Sequence, residues 1–226
     1  MQAILFDAGN TLLHLDYPWL AALAERLAPG KATAESLGGA TAAVGRDGWS
    51  DGPEDADPED FLTAYYRAIA VTAGLPAGTT GPFAAAARRE HVEHPLGLWR
   101  RAAPDAREVL QALSARGLRL GVVSNADGRV EVQLTAAGLA PYFGAIVDSH
   151  LAGVEKPDPE IYFIALRRLQ VEAREALYVG DLFDVDIRGA AAAGMQAVLY
   201  DPWDAYPDLW TPRIHSLREL LRVAAA

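Results

Sequence analysis

Short apolar runs alternate with segments of helical periodicity over much of this 226-residue chain. Gln2 to Phe6 is an apolar run of strand length, and it ends at the turn-forming residues Asp7 to Thr11. Similar runs predict strands at residues 118–123, 145–147, 176–179 and 197–200. Apolar residues at helical spacing predict helices at residues 104–116, 129–137, 158–169 and 187–193. This alternation predicts an α/β fold, a Rossmann-like parallel sheet with helices on both faces.

The pattern changes between the first predicted strand and about Trp99, where helical periodicity continues without intervening strands. We therefore predict a small all-helical cap domain of residues 15–99, inserted into an α/β core of residues 1–14 and 100–226. The middle of the insertion, Arg46 to Asp60, is rich in Gly, Pro and acidic residues, which predicts a solvated loop between helices.

The amino-acid composition excludes several kinds of site and disfavours several kinds of partner. The chain has no Cys, which excludes disulfides, Cys-ligated zinc and thiol nucleophiles and favours a reducing compartment. A formal net charge of -10 disfavours nucleic acid and anionic lipid as partners. No basic leader and no apolar run of membrane-spanning length is present, so we expect a cytoplasmic protein without a membrane partner. The sequence does not indicate an oligomeric state.

Polar residues stand directly after the predicted strands, where ligands bind in a parallel sheet. They are Asp7, the pair Ser124 and Asn125, and the acidic group Asp181, Asp184 and Asp186, while Lys156 stands just before the helix that Asp158 opens. Each of them has a simpler explanation as a turn residue, a helix cap or a surface charge. Together, several carboxylates at one sheet edge would repel one another unless a cation neutralised them. Mg²⁺ prefers such oxygen ligands and commonly accompanies phosphates, so the group predicts phosphoryl transfer.

The same segments resemble the four motifs of the haloacid dehalogenase superfamily, whose members carry a helical cap after the first strand. The matching segments, in order, are ILFDAGNTL, GVVSN, EKPDPEIY and YVGDLFDVDIRGA. The resemblance implies that Asp7 is the nucleophile and that Ser124 and Lys156 bind phosphate and stabilise charge, with Asn125 as a weaker neighbour. It also implies Mg²⁺ ligands from Asp7, the Gly9 carbonyl, Asp181 and Asp186. Asp184 lies one position away from the usual spacing of acidic residues in the family. We expect it to cap a helix or to lie outside the set of metal ligands.

Gly9 departs from this pattern, because phosphatases of the superfamily carry a second Asp at this position as general acid and base. One interpretation is a Mg²⁺-dependent phosphatase of a small phosphorylated metabolite that obtains its proton elsewhere or acts on an acidic leaving group. The second is a metal-independent 2-haloacid dehalogenase, although those enzymes carry a Tyr at this position. The third is a phosphate-binding protein with impaired turnover.

Further candidates are less specific. The four that could replace the missing acid are His14, Asp16, His91 and His94. Candidate substrate contacts in the insertion are Trp19, Tyr65, Tyr66, Arg88 and Arg89, although Tyr65 and Ile69 have the spacing of core residues. The aromatic and Pro-rich segment from Asp201 to Trp210 is expected to cover a sheet edge rather than form a site.

Overall fold

The computed structural model describes residues 1–49 and 58–224. The chain divides into two compact units, Met1–His14 with Arg100–Ala226 and Leu15–Trp99. None of the described helices combines the length and the apolar character that a membrane span requires.

The first unit is built on a six-stranded parallel sheet. The strands of the chain are β1 (Ala3–Phe6), β2 (Leu13–Leu15), β3 (Trp99–Ala102), β4 (Arg119–Ser124), β5 (Ala145–Asp148), β6 (Ala176–Gly180), β7 (Gln196–Tyr200) and β8 (Arg213–Ile214). Their order across the sheet is β5, β4, β1, β6, β7, β8, while β2 and β3 form a separate two-stranded ribbon. Ala3 of β1 aligns with Arg119 of β4 and Ala176 of β6, so the ends of these three strands lie level.

The helices follow the predicted alternation. They are α1 (Tyr17–Leu27), α2 (Ala34–Val44), α3 (Pro58–Thr72), α4 (Ala77–Glu93), α5 (Ala106–Ala115), α6 (Val130–Ala136), α7 (Ser149–Ala152), α8 (Pro159–Leu169), α9 (Arg188–Ala192) and α10 (Leu220–Val223). A π-helical turn, Phe183–Ile187, leads into α9.

Side chains of β1 alternate between the two faces of the sheet, as strand geometry requires. Ile4 and Phe6 belong to an apolar cluster with buried residues of α5 and α6. Ala3 and Leu5 belong to a second cluster with buried residues of α8 and α9. Burial on both faces explains why this strand is a continuous apolar run. The predicted parallel sheet with helices on both faces is confirmed.

The second unit, Leu15–Trp99, contains α1 to α4 around its own apolar cluster. Tyr65 and Ile69 are both buried in this cluster, so their predicted core positions are confirmed. A reciprocal capping box between Thr33 and Ser36 begins α2, because each side chain accepts the backbone N–H of the other residue.

Three short strands, β2, β3 and β8, were not predicted. Each has only two to four residues, which is too short to show a recognisable alternation. The predicted loop at residues 46–60 is also shorter than expected, since Gly45–Trp49 forms a π-helical turn and α3 begins at Pro58. Residues 50–57 of that prediction lie outside the described residues.

Candidate active site

Asp7 follows β1 directly and sits at the carboxyl edge of the sheet. Its backbone N–H donates to the Val179 carbonyl of β6 at 2.8 Å, which continues the pairing of these strands by one residue. The residue is 5% exposed. Its Oδ1 accepts from Ser124 Oγ at 3.2 Å and from Lys156 Nζ at 2.5 Å. The structure thus brings together the three residues predicted to be catalytic.

Lys156 is buried and holds the site together electrostatically. Its ammonium group donates to Asp7 Oδ1, to Asp186 Oδ1 at 2.7 Å and to Tyr178 Oη at 3.2 Å. Burial alone would lower the pKa of Lys156, but the adjacent Asp186 and Asp7 carboxylates raise it above its ordinary value. The side chain is therefore a permanent cation, suited to stabilising negative charge on a bound ligand.

Asp186 is fully buried, and both of its carboxylate oxygens accept hydrogen bonds. Oδ1 accepts from Lys156 Nζ, and Oδ2 accepts from the Leu182 backbone N–H at 2.9 Å. A Cβ atom on Gly180 would lie 2.4 Å from both Asp186 Cγ and Oδ2, so only glycine leaves room for this carboxylate. The geometry makes Asp186 an anchor for Lys156.

Asn125 uses both ends of its amide on the backbone of Lys156. Nδ2 donates to the Lys156 carbonyl at 2.9 Å, and Oδ1 accepts the Lys156 N–H at 2.7 Å. The next peptide bond, between Lys156 and Pro157, is cis. The substrate contact expected of Asn125 remains a prediction, and the contact observed is with Lys156.

The site carries more negative than positive charge. Burial raises the pKa of Asp7 to about 6, with Lys156 lowering it and Asp186 raising it further. Burial together with the Asp7 and Asp186 carboxylates raises the pKa of Asp181 well above its ordinary value. One ammonium group thus faces three nearby carboxylates. Asp184 is exposed and pairs with Arg188 at 2.8 Å, which agrees with its exclusion from the predicted ligand set.

The backbone carbonyl of Gly9 lies in the turn after Asp7. Leu13 N–H donates to the Ala8 carbonyl at 2.8 Å, and Asn10 N–H donates to the Leu13 carbonyl at 2.7 Å. These two bonds flank Gly9, whose own carbonyl accepts none from the described part of the chain. Asn10 takes a left-handed conformation, φ 57°, which Asn tolerates better than most residues.

The donors present suit a hard divalent cation. Within residues 1–49 and 58–224, no three His, Asp or Glu side chains are grouped so as to hold a metal by themselves. The remaining oxygen donors are the carboxylates of Asp7 and Asp181 and the Gly9 carbonyl, and all three are of the type that Mg²⁺ prefers. A divalent cation would also balance the excess negative charge. The chemistry of these donors therefore fits Mg²⁺, and the predicted ligand set, which also includes Asp186, remains a prediction.

Comparison with known proteins places the chain in a family. The sequence model described as haloacid dehalogenase-like hydrolase matches residues 1–194. The chain belongs to this family. The glyceraldehyde 3-phosphate phosphatase of Methanopyrus kandleri is 43% identical over 96 residues, which are 42% of this chain and 41% of that protein. The chain spans about half the length of the curated relatives it matches.

Solved structures named as phosphatases and as dehalogenases share the fold of this chain. The HAD phosphatase from Thermococcus onnurineus has a TM-score of 0.63 at 23% identity and covers 99% of this chain and 98% of its own. A 2-haloacid dehalogenase from Pseudomonas syringae has a TM-score of 0.55 at 28% identity and covers 100% of this chain and 98% of its own. Fold similarity therefore does not separate the two activities.

The four residues that could replace the missing general acid differ in their burial and hydrogen bonding. Burial lowers the pKa of His14, while Asp105 raises it. Asp16 caps α1 by accepting from Trp19 N–H at 3.4 Å. His91 Nδ1 accepts from Leu98 N–H at 3.2 Å, within the apolar core of the helical unit. His94 Nδ1 likewise accepts a backbone N–H, that of Leu96 at 3.1 Å.

The candidate substrate contacts in the insertion differ in how far their side chains are exposed to solvent. Tyr65 and Tyr66 are buried in the core of the helical unit, and Trp19 packs against it. Arg89 is exposed and Arg88 is half-buried.

Tyr178 and Tyr206 are among the residues that contact the site and were not predicted. Tyr178, in the middle of β6, donates its hydroxyl to the Val123 carbonyl at 2.8 Å and accepts from Lys156. Tyr206, in the segment after β7, accepts from the Phe183 N–H at 3.3 Å. The one available signal was that a buried Tyr normally finds a partner for its hydroxyl.

Proposed function

We propose that this chain is a Mg²⁺-dependent phosphatase that hydrolyses a small phosphorylated metabolite through an aspartyl-phosphate on Asp7. The observation that carries the proposal is the contact of Asp7 Oδ1 with both Ser124 Oγ and Lys156 Nζ at the carboxyl edge of the sheet. A carboxylate flanked by a hydroxyl donor and a fixed cation is equipped to receive a phosphoryl group. The phosphatase name of the relative from Methanopyrus kandleri supports the same chemistry.

In the first step, a carboxylate oxygen of Asp7 attacks phosphorus and the bond from phosphorus to the leaving oxygen breaks. The pKa of about 6 leaves Asp7 mostly ionised at neutral pH, as a nucleophile must be. Ser124 and Lys156, which contact Asp7, donate hydrogen bonds to the phosphoryl oxygens as charge develops on them. In the second step, water attacks phosphorus, which releases inorganic phosphate and restores the Asp7 carboxylate.

Asp7, Asp181 and the Gly9 carbonyl would hold the Mg²⁺, which neutralises charge on the phosphoryl group when it is bound. Asp186 was predicted as a fourth ligand. Because its carboxylate already accepts from Lys156 and Leu182, we assign it to holding Lys156 and the acidic turn. Two further assignments remain predictions. One is that residues 15–99 form a cap that selects the substrate, and the other is a cytoplasmic location.

Gly9 defines the substrate class. A general acid contributes roughly 10²- to 10⁴-fold, and most where the leaving group is a poor one. With no carboxyl group at this position, the site is best suited to leaving groups that depart without protonation. We therefore infer a preference for acyl phosphates over alkyl phosphomonoesters.

The test is a hydrolysis panel of acyl phosphates, alkyl phosphomonoesters and 2-haloacids, each run with Mg²⁺ and with EDTA. The panel is repeated with Asp7→Asn, which keeps the size of the side chain but removes the nucleophile. We expect Mg²⁺-dependent phosphate release that Asp7→Asn abolishes. Halide release in EDTA would instead identify a dehalogenase, and Mg²⁺-dependent phosphate binding without turnover would identify a binding protein. Either result would overturn the proposal.

A further inference from the structure

The turn that carries Asp181 and Asp186 receives a contact from a distant part of the chain. The Phe183 backbone N–H, two residues after Asp181, donates to Tyr206 Oη at 3.3 Å. Within the turn, Asp186 N–H donates to the Leu182 carbonyl at 2.8 Å. The Tyr206 hydroxyl therefore satisfies a backbone donor located between the two acidic residues.

Tyr206 is held in place by its own backbone. Its N–H donates to Asp201 Oδ2 at 3.1 Å, and its carbonyl accepts from Arg213 Nη1 at 2.6 Å. Asp201 is itself 2% exposed and also accepts from the Ala205 N–H at 2.7 Å and from Arg213 at 3.2 Å. We call Asp201 and Arg213 the clasp. The clasp therefore holds both the N–H and the carbonyl of Tyr206.

The phenol also lies within the electrostatic reach of the acidic residues. Burial is the main reason why the pKa of Tyr206 is above its ordinary value, and the Asp181, Asp186 and Asp201 carboxylates raise it further. The hydroxyl is therefore neutral at all physiological pH values and remains an acceptor for the Phe183 N–H.

We propose that Tyr206, fixed by the clasp, is a positioning residue that holds the Asp181 turn in the conformation required for metal binding. The inference rests on the proposed function, because it assumes that Asp181 is a metal ligand. Residues that orient metal ligands typically change metal affinity or activity by about 10- to 100-fold when they are replaced.

The experiment measures Mn²⁺ affinity by electron paramagnetic resonance for the full-length chain and for Tyr206→Phe, which removes only the hydroxyl. We expect binding weaker by about 10-fold or more. The matched control is Tyr142→Phe, since the Tyr142 hydroxyl has no hydrogen bond to any described residue. The thermal unfolding midpoint is recorded for each variant, because a purely structural role would change the midpoint and leave Mn²⁺ affinity unchanged.

A double variant tests whether the clasp acts through Tyr206. Arg213→Gln should weaken Mn²⁺ binding alone, and its effect should largely disappear in the Tyr206→Phe background. Equal Mn²⁺ affinity in wild type and Tyr206→Phe would overturn the inference and leave the proposed phosphatase intact. Weakened binding in a chain that lacks phosphatase activity would support the inference and reject the phosphatase. Absence of Mn²⁺ binding to the wild type would reject both.

Discussion

Asn125 and Lys156 are joined by two hydrogen bonds, one in each direction, between the Asn125 amide and the Lys156 backbone. These bonds connect the end of β4, where Ser124 lies next to Asn125, to Lys156 and its buried ammonium group. Ser124 and Lys156 both donate to Asp7 Oδ1, so the Asn125 amide fixes the spacing of the two donors around the nucleophile.

Replacing Asn125 by Ala should therefore damage turnover more than substrate binding. Loss of two part-buried hydrogen bonds should lower the free energy of unfolding by about 1–3 kcal/mol. Displacement of Lys156 should lower kcat by up to about 10²-fold. Steady-state kinetics and urea unfolding measure the two effects. A raised KM with unchanged kcat and stability would instead support the substrate contact that the sequence suggested for Asn125.

The sheet and most of its helices could be predicted because each element has a pattern set by burial. β1 is apolar throughout since its two faces contact different cores. Asp7, Ser124 and Asp181 could be located because Asp7 and Asp181 directly follow strands and Ser124 ends β4, and parallel strands bring such positions to one edge. Their approach to one another followed from topology alone.

The contacts that orient these residues could not be predicted in the same way. Tyr178 lies in an apolar strand, where the pattern indicates only burial, and its hydroxyl contacts depend on the exact packing of α8 and the turn after β6. Tyr206 meets Phe183 across 23 residues of sequence, so the contact depends on the path of the segment after β7. Asn125 has the expected position, but the sequence does not show which partner its amide selects.

Gly180→Ala should disturb the site through Asp186. The added Cβ would lie 2.4 Å from Asp186 Cγ, and that carboxylate is tied to Lys156 and to the Leu182 N–H. We expect the free energy of unfolding to fall by about 1–3 kcal/mol, as for other overpacked positions, and activity to fall with it. Urea unfolding and phosphate release measure both.

Gly39→Ala is the matched control for this substitution. Gly39 lies within α2 in the helical unit, and a Cβ there would meet nothing within 4 Å. Replacing a helical Gly by Ala should raise the free energy of unfolding by roughly 0.5–1 kcal/mol and leave activity unchanged. Equal behaviour of the two variants would contradict the role assigned to Gly180.

The raised pKa of Asp7 predicts a specific dependence of stability on pH. In EDTA the folded state keeps the Asp7 proton up to about pH 6, whereas the unfolded chain loses it near the ordinary pKa of 3.8. Between these values the folded state binds more protons, so stability falls as pH rises and levels off above about 6. Since one pKa unit corresponds to about 1.4 kcal/mol, this component is about 3 kcal/mol at most.

Comparison with Asp7→Asn cancels the titration of groups distant from the site. Asp181, whose pKa the Asp7 carboxylate raises, contributes to the difference with the same sign. We expect the stability of wild type relative to Asp7→Asn to decrease from about pH 4 to 6, as measured by urea unfolding in EDTA. Mg²⁺ should oppose the decrease, since it binds the ionised carboxylate. A difference that stayed constant with pH, or increased, would contradict the burial-driven shift.

Gly9→Asp tests whether the missing carboxyl group determines the substrate class. Gly9 is not among the residues with positive φ, so its backbone conformation does not require glycine. We expect the rate with alkyl phosphomonoesters to rise, by up to the roughly 10²- to 10⁴-fold that a general acid contributes, while the rate with acyl phosphates changes little. The measurement uses a series of phosphomonoesters whose leaving groups have increasing pKa. Protonation by the introduced carboxyl group would make the rate depend less steeply on the pKa of the leaving group.

Gly9→Asn is the control, because it has nearly the same size and no transferable proton. If both variants left the dependence unchanged, protonation would already be supplied by another group, and the preference for acyl phosphates would lose its physical basis.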